Sequence, residues 1–79
     1  MRKVTFSDGT EWEVRPLTVG KVKQLRAMAD KEAIDQMFAT VEAAGYTPEQ
    51  YDALTMPDFV ELNKAIQAET YGLPEEVKN

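Results

Sequence analysis

The chain has 79 residues, 43% of them hydrophobic, with no cysteine, no histidine and a formal net charge of −5. That length supports one domain around a single small core, and the composition excludes disulfides, thiolate metal sites and imidazole chemistry. No run approaches the roughly 20 apolar residues of a membrane span, and the opening MRKVTFSDG lacks the apolar stretch of a signal peptide.

In RKVTFSDGTEWEV, Val4 and Phe6 alternate with polar residues, as do Trp12 and Val14, the period of half-buried strands. A two-residue Asp8-Gly9 loop would set Phe6 opposite Glu11 and Val4 opposite Glu13, placing acids on the apolar face. A three-residue Ser7-Asp8-Gly9 loop sets Phe6 opposite Thr10 and Val4 opposite Trp12. Only that register gathers Val4, Phe6, Trp12 and Val14 on one face, and it puts Gly9 where a bulged turn needs a left-handed residue. The sequence therefore predicts a bulged hairpin.

Pro16 lacks a ladder donor and holds Arg15 extended, so the second strand ends there. Thr18 is an N-cap for a first helix over residues 19 to 29, striped by Val19, Val22, Leu25 and Ala29 and weakened at Gly20. Asp30 caps a second helix, 31 to 44, whose Ala33, Ile34, Met37, Phe38, Val41 and Ala44 fill an arc of roughly 140°. Gly45 stops it.

Thr47, Pro48 and Gln50 form a capping box for a short helical turn. Thr55 caps the last helix, with Asp58 three residues on and Phe59, Leu62 and Ile66 as its buried stripe. Gly72 ends it, Leu73 packs back on the last turn, and Pro74 prevents continuation. Residues 75–79 read as a loose charged tail, so the domain is 1–74. The expected fold is α+β: an N-terminal hairpin packed on a bundle of three to four helices. A lone hairpin is marginal in water, so its apolar face must lie on the helices.

Catalytic machinery is hard to assemble from these residues. Ser7 is the sole serine and has no histidine to activate it. Glu11 and Glu13 lie on the outer strand face, and Asp58 serves a helix end. The four glycines are isolated, so there is no phosphate loop, and no spacing matches a calcium site. The chain reads as no enzyme and as needing no cofactor or metal.

Charge is unevenly spread. Residues 1–26 hold six cations against three acids, and the rest hold three cations against eleven acids. A nucleic-acid surface built on Arg2, Lys3, Arg15, Lys21, Lys23 and Arg26 would need Trp12 for stacking, and the hairpin register already uses Trp12. Protein–protein contact is the better reading. On the last helix Val60 and Tyr71 project roughly 100° to 120° from Phe59, with Lys64 between them, which makes a docking strip. On the second helix Gln36, Ala39 and Ala43 lie opposite the core arc, a small flat face for a partner helix. The oligomeric state stays open.

VTFSDGTEWEVRPLTVGKVKQL resembles the opening of the small tail assembly chaperones of long-tailed bacteriophages: a hairpin ending in Arg-Pro-Leu, then a polar cap and a helix. GYTPEQYDALTMPDFVELNKAI is similar to their later portion, where a Leu-Thr step, here Leu54 and Thr55, leads into a helix with Asp58 and Phe59. The resemblance spans roughly residues 2 to 71. It implies a chaperone that binds the tape measure protein in the host bacterial cytoplasm before tail tube subunits polymerise. It also implies a tail tube partner reached through a longer frameshift product, of which this chain would be the short form. The family supplies no catalytic or ligand residues. Two other readings stand beside it: a structural virion protein of the tail or head–tail connector, and a small DNA-binding regulator.

Overall fold

The computed structural model describes residues 2–72. It has the expected α+β architecture, in the order β1 (Lys3–Thr5), β2 (Glu11–Glu13), α1 (Val19–Arg26), α2 (Ala33–Ala43), α3 (Pro48–Tyr51) and α4 (Met56–Tyr71). Leu73, Pro74 and the tail at 75–79, which the sequence assigned to a stop and a loose end, lie outside the described residues.

The hairpin has the register that burial demanded. Lys3 faces Glu13, Val4 faces Trp12 and Thr5 faces Glu11 in an antiparallel pair. The Phe6 amide donates to the Thr10 carbonyl at 2.9 Å, and Gly9 takes φ +92°. Asp8 steadies the turn by accepting from the Thr10 amide at 3.0 Å and hydroxyl at 2.7 Å. Those bonds hold its carboxyl below the usual pKa, the hydroxyl contributing most.

α4 is the axis on which the other elements assemble. Its Phe59, Leu62 and Ile66 are buried among Val4, Phe6 and Val14 from the hairpin segment and Val41 from α2. Full burial of each such side chain stabilises the fold by about 1.5–3 kcal/mol. The helix is capped as its sequence indicates: Thr55 Oγ1 accepts from the Asp58 amide, and Gly72 closes the other end at φ +67°. Asp58, buried in the first turn, accepts from both the amide of Ser7 at 3.1 Å and its hydroxyl at 2.9 Å. The hairpin turn is thereby fastened to the positive end of α4. At the opposite end the Leu17 amide donates to Thr70 Oγ1 at 2.9 Å, so the hairpin turn and the strand-to-helix passage are tied to opposite ends of the same helix.

A ladder of aromatic rings joins the hairpin to the loop after α2. Phe6 meets Trp12 edge-on at 4.9 Å, Trp12 stacks on Tyr46 at 5.4 Å, and the Arg15 guanidinium lies 5.7 Å from the Tyr46 ring centre. Gly45, which stops α2, has φ +102°, and a Cβ there would come within 2.9 Å of Arg15 Nη1. The positive φ is what demands glycine here, since the Arg15 guanidinium is the movable end of a long side chain and can swing aside. A second cluster of Phe38, Tyr51 and Phe59 closes the other side of the core.

Three expectations need correction. α1 stops at Arg26 rather than near 29, because none of its residues is buried and its end tightens into i→i−3 bonds from Met28 and Ala29. Asp30 does not cap α2. Those turns run on to a bond from the Lys31 amide to the Met28 carbonyl, the helix begins at Ala33, and Glu32 is an N-cap without a side-chain bond. The buried arc of α2 is also rotated toward Thr40, Val41 and Ala44, leaving Ala33 exposed and Phe38 39% exposed.

Replacing Asp58 with alanine strands the Ser7 amide and unfastens the turn. The expected loss is about 2–3 kcal/mol, since the acceptor is charged and partly enclosed, read as a lower urea midpoint with unchanged slope. The tyrosines set the alkaline limit. The Tyr51 hydroxyl donates to the Glu42 carboxylate, which together with burial pushes its pKa from 10.0 up to about 12. Burial raises Tyr46 as well. A raised phenol contributes stability that is complete below its unfolded pKa and is lost as pH climbs through the folded one. The thermal midpoint should therefore fall between pH 10 and about 12, and Tyr51→Phe should reduce that slope.

Candidate functional site

The feature with most to offer a partner is a trough whose origin lies in α1. With only eight residues and Gly20 in its first turn, α1 packs mainly along one side of α2 and buries no residue. Val22 and Leu25 end half-exposed, and Val19 is 78% exposed. Between α1, α2 and the end of α4 this leaves an open hollow of about 300 Å³, walled by Leu17, Val22, Leu25 and Ala29 with Tyr71 at one end. It runs into a second hollow of about 210 Å³ between α2 and α4, the two sharing Gln36, Thr40 and Gln67.

The polar residues of this trough are only partly satisfied. Gln36 Nε2 donates to the carbonyls of Lys31 at 2.7 Å and Ala29 at 3.3 Å, bracing the α1–α2 connection. The Thr40 hydroxyl returns to the Gln36 carbonyl at 2.8 Å. Asn63 borders the second hollow and is 4% exposed. Its Nδ2 donates to the Phe59 carbonyl, while its Oδ1 has no hydrogen-bond partner among the described residues.

A third hollow, about 360 Å³, lies on the other flank of α4 against β1 and is lined by Arg2, Lys3, Glu61 and Lys64 among others. Its charges are already engaged in part, through Arg2 to Glu69 at 3.3 Å and Lys64 to Glu61 at 3.7 Å.

Of the six residues that the sequence singled out, Val60, Lys64 and Tyr71 lie along the outward side of α4. Val60 is half-buried, Lys64 is exposed, and Tyr71 is 61% exposed. The α2 group differs from expectation. Gln36 is half-buried and bound to the connector, and Ala39 and Ala43 are half-buried, so they do not make an open flat face. The rotation of α2 is the cause, because it turns Gln36 toward α1. The structure thus brings Tyr71 and Gln36 to one trough and leaves Val60 and Lys64 outside it, Lys64 bordering the hollow against β1. Sequence reasoning missed Leu17, Val22 and Leu25 as surface residues. The available signal was a helix too short to bury its stripe.

Comparison of the chain with protein-family models, with curated proteins and with solved structures found no match. Among the described residues no helix is long and apolar enough to cross a membrane.

Asn63→Leu removes an unpaired buried acceptor, and the adjoining hollow has room for the larger side chain. It should raise stability by about 1 kcal/mol, a shift of roughly 4–8 °C in the thermal midpoint by calorimetry.

Proposed function

We propose that the chain is a tail assembly chaperone of a long-tailed bacteriophage or prophage. It binds the tape measure protein in the host bacterial cytoplasm and keeps it soluble until tail tube subunits polymerise around it. It acts by binding, without catalysis or a cofactor, and a longer frameshift product of the same gene would bring in the tail tube protein.

The observation that carries this reading is the ordered resemblance of the two segments, VTFSDGTEWEVRPLTVGKVKQL and GYTPEQYDALTMPDFVELNKAI, to that family. Their shared positions have physical work to do in this fold. Thr18 and Thr55 are N-caps that accept from Lys21 and Asp58, the Leu17 amide is held by Thr70, and Asp58 fastens the hairpin. A small domain with a half-covered helix and an exposed tyrosine also suits a protein stabilised by its partner, because whatever binds only the folded state favours it by mass action.

The test is co-expression with the long helical protein encoded a little downstream of this gene. Its soluble fraction should rise several-fold and the two chains should co-purify, with Val60→Glu and Tyr71→Glu each reducing recovery. Unchanged solubility with no co-elution would overturn the reading, as would stoichiometric recovery of this chain from purified particles.

A further inference from the structure

We propose that the trough between α1, α2 and α4 seats an acidic, amphipathic helical segment of a partner protein. This deepens the binding reading above by naming the partner's chemistry, and it does not require that partner to be a tape measure protein.

Charge selects the occupant. Among the described residues no acid lines the trough, and Arg26 forms part of its wall. Val19 and Lys23 precede Arg26 by seven and three residues and so share its flank of α1, beside the trough that Arg26 itself lines. Lys21 lies on the opposite flank of the same helix. No acid occurs anywhere between residues 14 and 29, although the whole chain carries −5. Among the described residues Lys21, Lys23 and Arg26 form no salt bridge, whereas Arg2 and Lys64 do. Arg15 is occupied over Tyr46 and sits outside the set. A locally positive, apolar trough on an acidic molecule complements acids flanking an apolar stripe and repels a basic amphipathic helix.

Backbone chemistry selects a helix. The interior amides and carbonyls of α1, α2 and α4 are spent on their own helical bonds, and the Leu17 amide is given to Thr70. Among the described residues the trough therefore has no free strand edge with which an extended peptide could pair. An occupant must meet its own backbone hydrogen bonds while presenting side chains at i, i+3, i+4 and i+7, as a helix does. α1 itself, at about 1.5 Å per residue, runs for roughly 12 Å, matching about two turns of an occupant.

The probe is a fluorescein-labelled three-heptad peptide with leucine at its a and d positions and glutamate and alanine elsewhere. A second peptide carries lysine in place of every glutamate. Both are titrated by fluorescence anisotropy with the full chain at low salt. The acidic peptide should bind at least tenfold more tightly than the basic one. Arg26→Glu with Lys23→Glu should weaken it at least tenfold while leaving the circular dichroism unchanged, since both positions are exposed. Val22→Glu, which puts an acid in the apolar wall, should weaken it comparably.

No binding of the acidic peptide overturns the proposal, as does equal binding of the two peptides or binding indifferent to all three substitutions. Truncation after Gly72 that tightens binding tenfold would assign the trough to residues 73–79 instead. A dimer abolished by Val22→Glu would assign it to a second copy. Peptide binding with failed co-expression would keep this inference and remove the tail-assembly reading, and the reverse result would do the opposite.

Discussion

The carboxylate of Asp58 sits where three requirements meet. It lies in the first turn of α4, where the aligned peptide dipoles favour negative charge, and its amide is the one that Thr55 caps. Its two oxygens accept from the amide and hydroxyl of Ser7, in the tip of the hairpin. A two-stranded hairpin does not hold itself together in water, so something must fix it against the helices. Asp58 fixes its tip, and burial of Val4, Phe6 and Val14 against Leu62 and Ile66 fixes its face.

Once the hairpin is fastened at that end of α4, the path of the remaining chain is narrow. The second strand must leave toward the far end of α4, where Leu17 is caught by Thr70. α1 then starts beside the end of α4, and with eight residues it cannot wrap across the core. α2 returns along α4 and takes the burial that α1 does not, so the molecule has a well-packed side built on α4 and a thinly covered side at α1. The trough is the consequence of that asymmetry, and the cations of α1 mark it chemically.

The same asymmetry bears on how such a domain would bind. Elements with few buried contacts are the ones that open or adjust at low cost, and α1 is the element of this fold that fits the description. A partner seated on it would add the apolar contacts that the described residues do not supply. Binding and stability are then coupled, which is a reasonable arrangement for a protein proposed to hold another chain before assembly.

Much of this was legible in the sequence because the signals were local. The hairpin register followed from one demand, that Val4, Phe6, Trp12 and Val14 share a face, and a slip of one residue would have reversed them all. Thr18, Thr55, Gly45 and Gly72 marked helix ends through bonds and backbone angles that involve only neighbouring residues. The stripe of Phe59, Leu62 and Ile66 was strong enough to set the face of α4 by itself. Other features depended on which element packs against which. Asp30 was an adequate cap by composition, yet the turns after α1 ran past it and Gln36 braced the junction instead. Phe38 belonged to the expected arc of α2, but the helix turned Thr40 inward and Phe38 partly out. Val22 and Leu25 had the spacing of a core stripe, and only the assembled fold decided that no element among the described residues would cover them fully. Spacing along a helix fixes which residues share a face, whereas which face is buried is set by neighbours far away in the chain.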